Sequence, residues 1–341
     1  MTTVEELRDE IQKIYNNLCI NEVEELDDLF RHWHIAQKNI GEGLRNLERK
    51  NKRGETCRDN ENNPKKPFKE YFDQIESRMN VVDIKSKDLN SNILKTEEWF
   101  FPDGIVVKEN RSEYDKQSVK ILYVLKETTA IKQISEGKEK DALEHIAVFQ
   151  NAEDFGLKRD ILDIPESLKE LYKKICGKTP EEIRKSSLIY KKIFLMHAYL
   201  IGRKIEDYSN TNVTEKTKDV NFLRENPIAY INLNKLGGGS LESTFKLCDY
   251  YCEIFSPFIK KEIEIIAPNI IVCCGTYHYI KEMLVGSDKK YPDKKYNNTV
   301  AGFIDNKGRK IIKIWHPSYR KSYKNYMAEF KKRYNSVEQS I

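Results

Sequence analysis

Four kinds of side chain able to do chemistry recur here at one kind of place, directly after a short apolar run rich in β-branched residues. Val119–Leu125 leads into Lys126-Glu127-Thr128-Thr129, and Ile228–Leu233 carries Asn232 and runs into Asn234-Lys235 and then Gly237-Gly238-Gly239-Ser240. Ile270–Cys274 leads into Gly275-Thr276, and Ile311–Trp315 into His316-Pro317-Ser318-Tyr319-Arg320. A carboxylate takes up a proton, an amide presents donor and acceptor together, and an imidazole does either near neutral pH. A Gly/Ser run exposes backbone N–H groups. Each residue alone has a structural reading: Glu127 as a helix-capping partner, Asn232 as a turn cap, His316 as a surface residue before a turn-forming proline, the glycines as a flexible connection. The ordered set at four successive run ends is what points to a site.

The runs themselves suit strands. Continuous apolar stretches of this length fit strands buried on both faces of a parallel sheet. The intervals Leu168–Cys176, Ser187–Arg203, Leu241–Ile266 and Tyr277–Leu284 read as helices. Alternation of strand and helix predicts a sheet covered on both faces, and in such sheets ligands gather at the carboxyl ends of the strands. The catalytic candidates, Glu127 and His316, and the binding candidates, Lys126, Thr128, Asn232, Gly238, Ser240, Gly275, Ser318 and Arg320, all fall at or after those ends.

Ahead of this pattern the chain reads differently. Residues 4–48 are helical in period, with Leu7, Ile11, Ile14, Tyr15 and Leu18 in one run and Leu26, Leu29, Phe30 and Trp33 opening a second. Arg49 to Pro67 is polar and basic, a linker; Phe68 to Met79 has room for one more helix; Trp99–Val107 reads as a turn between short extended segments. The expected division is a helical region with a basic linker over 1–100 and an α/β domain over 101–341, carrying a helical insertion at about 130–225.

Composition narrows the class. The 341 residues carry a net charge of +5, 39% hydrophobic and 33% charged residues, which suits a core under a solvated surface. The seven cysteines are odd in number and form no CxxC pair, so reduced thiols and a cytoplasmic setting are expected, without zinc ribbon or disulfide framework. Cys248 and Cys252 at helical spacing, and Cys273 and Cys274 in a strand, read as core thiols. His32, His34, His145, His197 and His278 lack metal-ligand spacing and read as structural. Met1 to Glu10 is acidic and amphipathic rather than leader-like, and no apolar stretch of about 18 residues predicts a membrane span.

The order of the four islands resembles the uracil-DNA glycosylase superfamily. The likeness rests on Ile121–Glu127, on Ala229-Tyr230-Ile231-Asn232, on Pro268–Gly275 and, most specifically, on Ile314-Trp315-His316-Pro317-Ser318. It implies a three-layer α/β/α sandwich around a four-stranded, mainly parallel sheet. It also implies a DNA glycosylase that flips a nucleotide from single- or double-stranded DNA and hydrolyses its N-glycosidic bond. In that scheme Glu127 holds or deprotonates water, Asn232 reads the base edge, His316 stabilises the departing base anion as a neutral donor, and Ser318 with the Gly237–Ser240 loop takes phosphates. Lysines and arginines around Gly237–Ser240 and Arg320–Lys324 would neutralise further phosphates. Iron–sulfur members place a cysteine where Lys235-Leu236 stands here, so no cluster and no other cofactor is expected. The long segment between Glu127 and Asn232 suits a pocket for a bulky modified base, such as the glycosylated cytosines of some phage genomes, which antiviral members of the superfamily attack; uracil repair is the simpler alternative. Two readings from other classes are a non-catalytic DNA-binding module of the same fold and a nucleotide-binding α/β enzyme, the latter without a GxGxxG or P-loop signature.

Overall fold

The computed structural model describes residues 2–47, 69–70, 72–73, 100, 103–105, 111–127, 188–216, 222, 225–236, 241–285 and 300–339. Leu168–Cys176, Thr128 and Gly237–Ser240 lie outside the described residues. The chain divides into two compact units, one of Met1–Pro102, Glu127–Lys158 and Leu233–Ile265, the other of Asp103–Lys126, Arg159–Asn232 and Ile266–Ile341.

The sheet belongs to the second unit except for Glu127, Leu233 and Asn234, the last residues of two of its strands. Its strands are β1 (Gly104–Ile105), β2 (Ile121–Glu127), β3 (Ala229–Asn234), β4 (Ile270–Cys274), β5 (Gly302–Ile304) and β6 (Lys310–Ile314), in the spatial order β1-β3-β2-β4-β6-β5. The four runs read from the sequence are thus β3, β2, β4 and β6, side by side. β2 pairs parallel with β4 (Ile121↔Ile270 to Val124↔Cys273), and β4 parallel with β6 (Ile270↔Lys310 to Cys274↔Ile314). Gln117, just before β2, donates to the carbonyl of Pro227, just before β3, at 2.8 Å, so these two strands start at one edge. The expectation of four strands falls short: the sheet is mixed and six-stranded. β1 joins β3 antiparallel, and β5 joins β6 antiparallel. At two and three residues, both are too short to show a period in sequence.

Burial explains why the central runs are unbroken. Ile121, Leu122, Tyr123 and Val124 are each 0% exposed, and β4 is buried throughout. Alternate residues (Ile121, Tyr123, Val272, Cys274, Ile312, Ile314) face a core shared with Phe194, Met196, Tyr326, Met327 and Phe330. Those partners come from two helices, Leu188–Leu200 and Tyr323–Glu338. A buried face on each side leaves no room for the polar alternation of a half-exposed strand. Asn269 fixes the entry to β4: its Oδ1 accepts the Lys120 N–H at 2.8 Å and its own N–H donates to the Lys120 carbonyl at 2.8 Å.

Helices among the described residues are α1 (Val4–Asn17), α2 (Leu26–Asn39), α3 (Gly41–Arg45), α4 (Arg111–Lys116), α5 (Leu188–Leu200), α6 (Asn210–Lys216), α7 (Leu241–Ile254), α8 (Ser256–Ile266), α9 (Tyr277–Val285) and α10 (Tyr323–Glu338). The single helix expected over Leu241–Ile266 is two, α7 and α8, broken at Phe255. In the first unit α1 starts with a capping box between Thr3 and Glu6. Its core gathers Phe30, Trp33, Tyr251, Phe255 and Phe258, all 0% exposed. Burying each phenylalanine contributes roughly 1.5–3 kcal/mol. Within that core the Lys235 ammonium meets the Glu262 carboxylate at 3.0 Å, both side chains fully buried, with Trp33 and Phe30 rings 5.2 and 5.4 Å from the nitrogen. Cys248 and Cys252 are buried with sulfurs 3.8 Å apart, and Cys273 and Cys274 are buried in β4.

Candidate functional site at the carboxyl edge of the sheet

The edge where β2, β3, β4 and β6 end carries Lys126, Asn232, Gly275 and His316, all within the second unit. Gly275 follows β4 with φ +80, a conformation that favours glycine, and its N–H donates to the Ile314 carbonyl at 2.8 Å. That bond sews the end of β4 to the end of β6, one residue before Trp315 and two before His316. Thr276, fully buried, donates its hydroxyl to the Val124 carbonyl at 2.9 Å and ties the start of α9 to β2.

The His316 turn is closed by a Tyr319 N–H to His316 carbonyl bond of 2.9 Å, with Pro317 buried beneath it. Inside it the Ser318 N–H donates to His316 Nδ1 at 3.2 Å, and the Ser318 hydroxyl lies 2.7 Å from the same nitrogen. A backbone N–H only donates, so Nδ1 is the acceptor and the ring proton sits on Nε2. The ring is therefore a neutral imidazole whose Nε2–H is available as a donor. Electrostatics agree: burial, and then the charges of Lys126 and Lys192, push His316 down to about 4. Ser318, read from the sequence as a phosphate contact, spends its hydroxyl and N–H on the imidazole.

Two side chains hold this turn from the helices behind it. Lys192 on α5, 0% exposed, donates from Nζ to the Tyr319 carbonyl at 2.5 Å. Tyr326 on α10 donates its hydroxyl to the Trp315 carbonyl at 2.7 Å, and the Lys192 ammonium sits 4.5 Å over the Tyr326 ring. On the outer side Trp315 and Tyr319 stack at 5.7 Å, Lys321 lies 3.6 Å over the Trp315 ring, and Tyr319 is 53% exposed. Arg320 is exposed beside it.

Asn232 is buried near the end of β3, and its N–H donates to the carboxylate of Asp103 at 2.5 Å. Asp103, 1% exposed, stands immediately before β1. Sequence reasoning passed over both Asp103 and Lys192. The available signals were an Asp-Gly pair opening an extended segment, and a Lys-Lys pair inside the otherwise apolar helix Leu188–Leu200, where a charge has to be buried. Lys235, two residues before the Gly237–Ser240 run, is enclosed with Glu262 and is closed to phosphate.

Glu127 is the last residue of β2; its side chain, with Thr128, Gly238 and Ser240, lies outside the described residues. Among the described residues no group of three or more His, Cys, Asp or Glu is arranged to hold a metal, and no helix is long and apolar enough to cross a membrane. Comparison with protein-family models, with curated proteins and with solved structures finds no match to this chain.

Proposed function

We propose that this protein is a DNA glycosylase of the uracil-DNA glycosylase type, acting on a non-canonical or modified base. The observation that carries the reading is the neutral His316 ring, fixed by Ser318 with Nε2–H as its donor, at the strand edge that also carries Asn232. Breaking the bond between C1′ and the base nitrogen leaves the electron pair on the base and positive charge on the sugar. A preorganised neutral donor beside the base oxygen stabilises that anion without first giving up a proton. Water then adds to C1′; Glu127 takes its proton, and the base is protonated on release. Asn232 offers an amide to the base edge, its backbone braced by Asp103. The exposed Arg320 and the Gly237–Ser240 run, which leads in sequence into α7, take phosphates.

The same reading includes a three-layer α/β/α sandwich, supported by central strands buried on both faces and by α5 and α10 against one of them. It includes antiviral action on phage DNA with bulky modified cytosine, supported by the length of chain between Glu127 and Asn232. Uracil repair and cytoplasmic residence belong to the same proposal.

The test is abasic-site formation on DNAs carrying uracil, hypoxanthine or glycosylated cytosine. His316→Ala should slow single-turnover cleavage of the best substrate by about 10²–10³-fold, while affinity for that DNA changes by less than about tenfold, or 1.4 kcal/mol. Near-normal cleavage by the variant overturns the role of His316; binding by the natural chain without cleavage of any of the three points to a non-catalytic module.

A further inference from the structure

A lysine with no part in the scheme above lies under the site. Lys192 belongs to an apolar helix, and its ammonium is buried, bonded to the Tyr319 carbonyl and set over the Tyr326 ring. Burial of such a charge is costly and persists where it is solvated by carbonyls or rings or performs a task. Tyr326 and Lys192 grip the two ends of the His316 turn, at the Trp315 and Tyr319 carbonyls, so the imidazole is mounted on a frame formed by α5 and α10.

Resting on the glycosylase reading, we infer that Lys192 is a positioning residue of the site: it ties down the His316 turn through the Tyr319 carbonyl and adds a positive charge behind an imidazole whose proton the Ser318 N–H already confines to Nε2. Among the described residues, these groups surround the ring. β2 contributes Lys126, and α5 contributes Lys192; both charges oppose protonation of His316. β4 contributes Gly275, which carries no charge, and whose hydrogens face the His316 Cβ. α10 contributes the Tyr326 phenol, which burial holds protonated. His316's own turn contributes Ser318, whose N–H already occupies the nitrogen a second ring proton would need.

The sign follows. Burial brings Lys192 down to about 8, so it is cationic through the neutral range. A cation beside an imidazole disfavours the imidazolium, so removing the Lys192 charge moves His316 up part of the way, while burial and the Lys126 charge still hold it below its ordinary value. A lysine that only braced the turn would act through its hydrogen bond, and a neutral donor would replace it.

The experiment is an NMR titration of the His316 ring in the DNA-free full chain, natural and with Lys192→Gln or Lys192→Arg. Expected is a midpoint near 4 in the natural chain, a similar one with arginine, and a clear rise with glutamine, which keeps a donor and loses the charge. In parallel, the acid limb of the single-turnover rate profile should move upward in the glutamine variant and stay in place with arginine. A glutamine variant whose His316 midpoint equals that of the natural chain overturns the proposal. Should that variant fail to fold, Lys192→Met takes its place with the same expected rise, and a natural-chain midpoint at or above about 6, the range of an unperturbed histidine, overturns the proposal without any substitution. Because the titration needs no DNA, loss of the glycosylase reading is seen separately, as absence of cleavage by the natural chain.

Discussion

Acid should unfold this protein partly through His197. The residue sits on α5, 0% exposed, with Nε2 2.9 Å from the Asn226 carbonyl. A carbonyl only accepts, so Nε2 carries the proton, and the bare Nδ1 is buried with no hydrogen-bond partner. A second proton would place an unsolvated cation in the core, and burial accordingly pushes the imidazole down to about 4 from an ordinary 6.5, against a smaller opposing effect of the Asn226 carbonyl. Between those limits the unfolded chain binds a proton that the folded chain refuses, so stability rises with pH there. The contribution is fully present above pH 6.5 and is lost as pH falls toward 4; over that interval, at about 1.36 kcal/mol per pH unit, it amounts to about 3 kcal/mol. The assay is urea unfolding followed by circular dichroism at pH 7 and pH 4. His197→Gln keeps a donor for the Asn226 carbonyl and cannot ionise. Although less stable at pH 7, it should lose about 3 kcal/mol less than the natural chain on acidification. Taking the difference between the two chains removes His316 and the carboxylates from the comparison. A difference below about 1 kcal/mol would refute the assignment of a neutral, buried His197.

Gly302→Ala should destabilise the second unit by at least about 1–3 kcal/mol, the usual cost of overpacking, because a Cβ there would lie 2.0 Å from the Ile311 carbonyl oxygen across the β5–β6 pair; thermal unfolding unchanged within 1 °C would contradict this. Asp103→Ala leaves the Asn232 N–H without its carboxylate and should cost about 1.5–3 kcal/mol, the range for a hydrogen bond to a charged group, together with a loss of base recognition measurable as a raised Kd for substrate DNA. Arg320→Ala should weaken DNA binding evenly across sequences and lower the slope of log K against log salt by about 1; an unchanged slope would remove Arg320 from the phosphate contacts.

Much of the architecture was legible from residue order because it depends on local pattern. Unbroken apolar runs marked β2, β3, β4 and β6, since strands buried on both faces have no polar side to display. The His316 turn was legible because its proline is adjacent in sequence, whereas the Ser318 contact to the ring was not, since a serine after His-Pro reads equally well as a phosphate contact. The break between α7 and α8 was legible too and was passed over: Ser256-Pro257 follows Phe255, and a proline that cannot continue one helix suits the first turn of the next. Edge strands β1 and β5 were missed because two or three residues carry no period, and their pairing partners are remote in sequence. What only tertiary structure decided is the state of the site. The brace on Asn232 comes from Asp103, 129 residues away, and the grip on Tyr319 from Lys192, 127 residues away. Which lysine is a buried charge behind a histidine, which is locked to Glu262 and which is open to solvent depends on where the folded chain excludes water, and residue type alone carries no record of that.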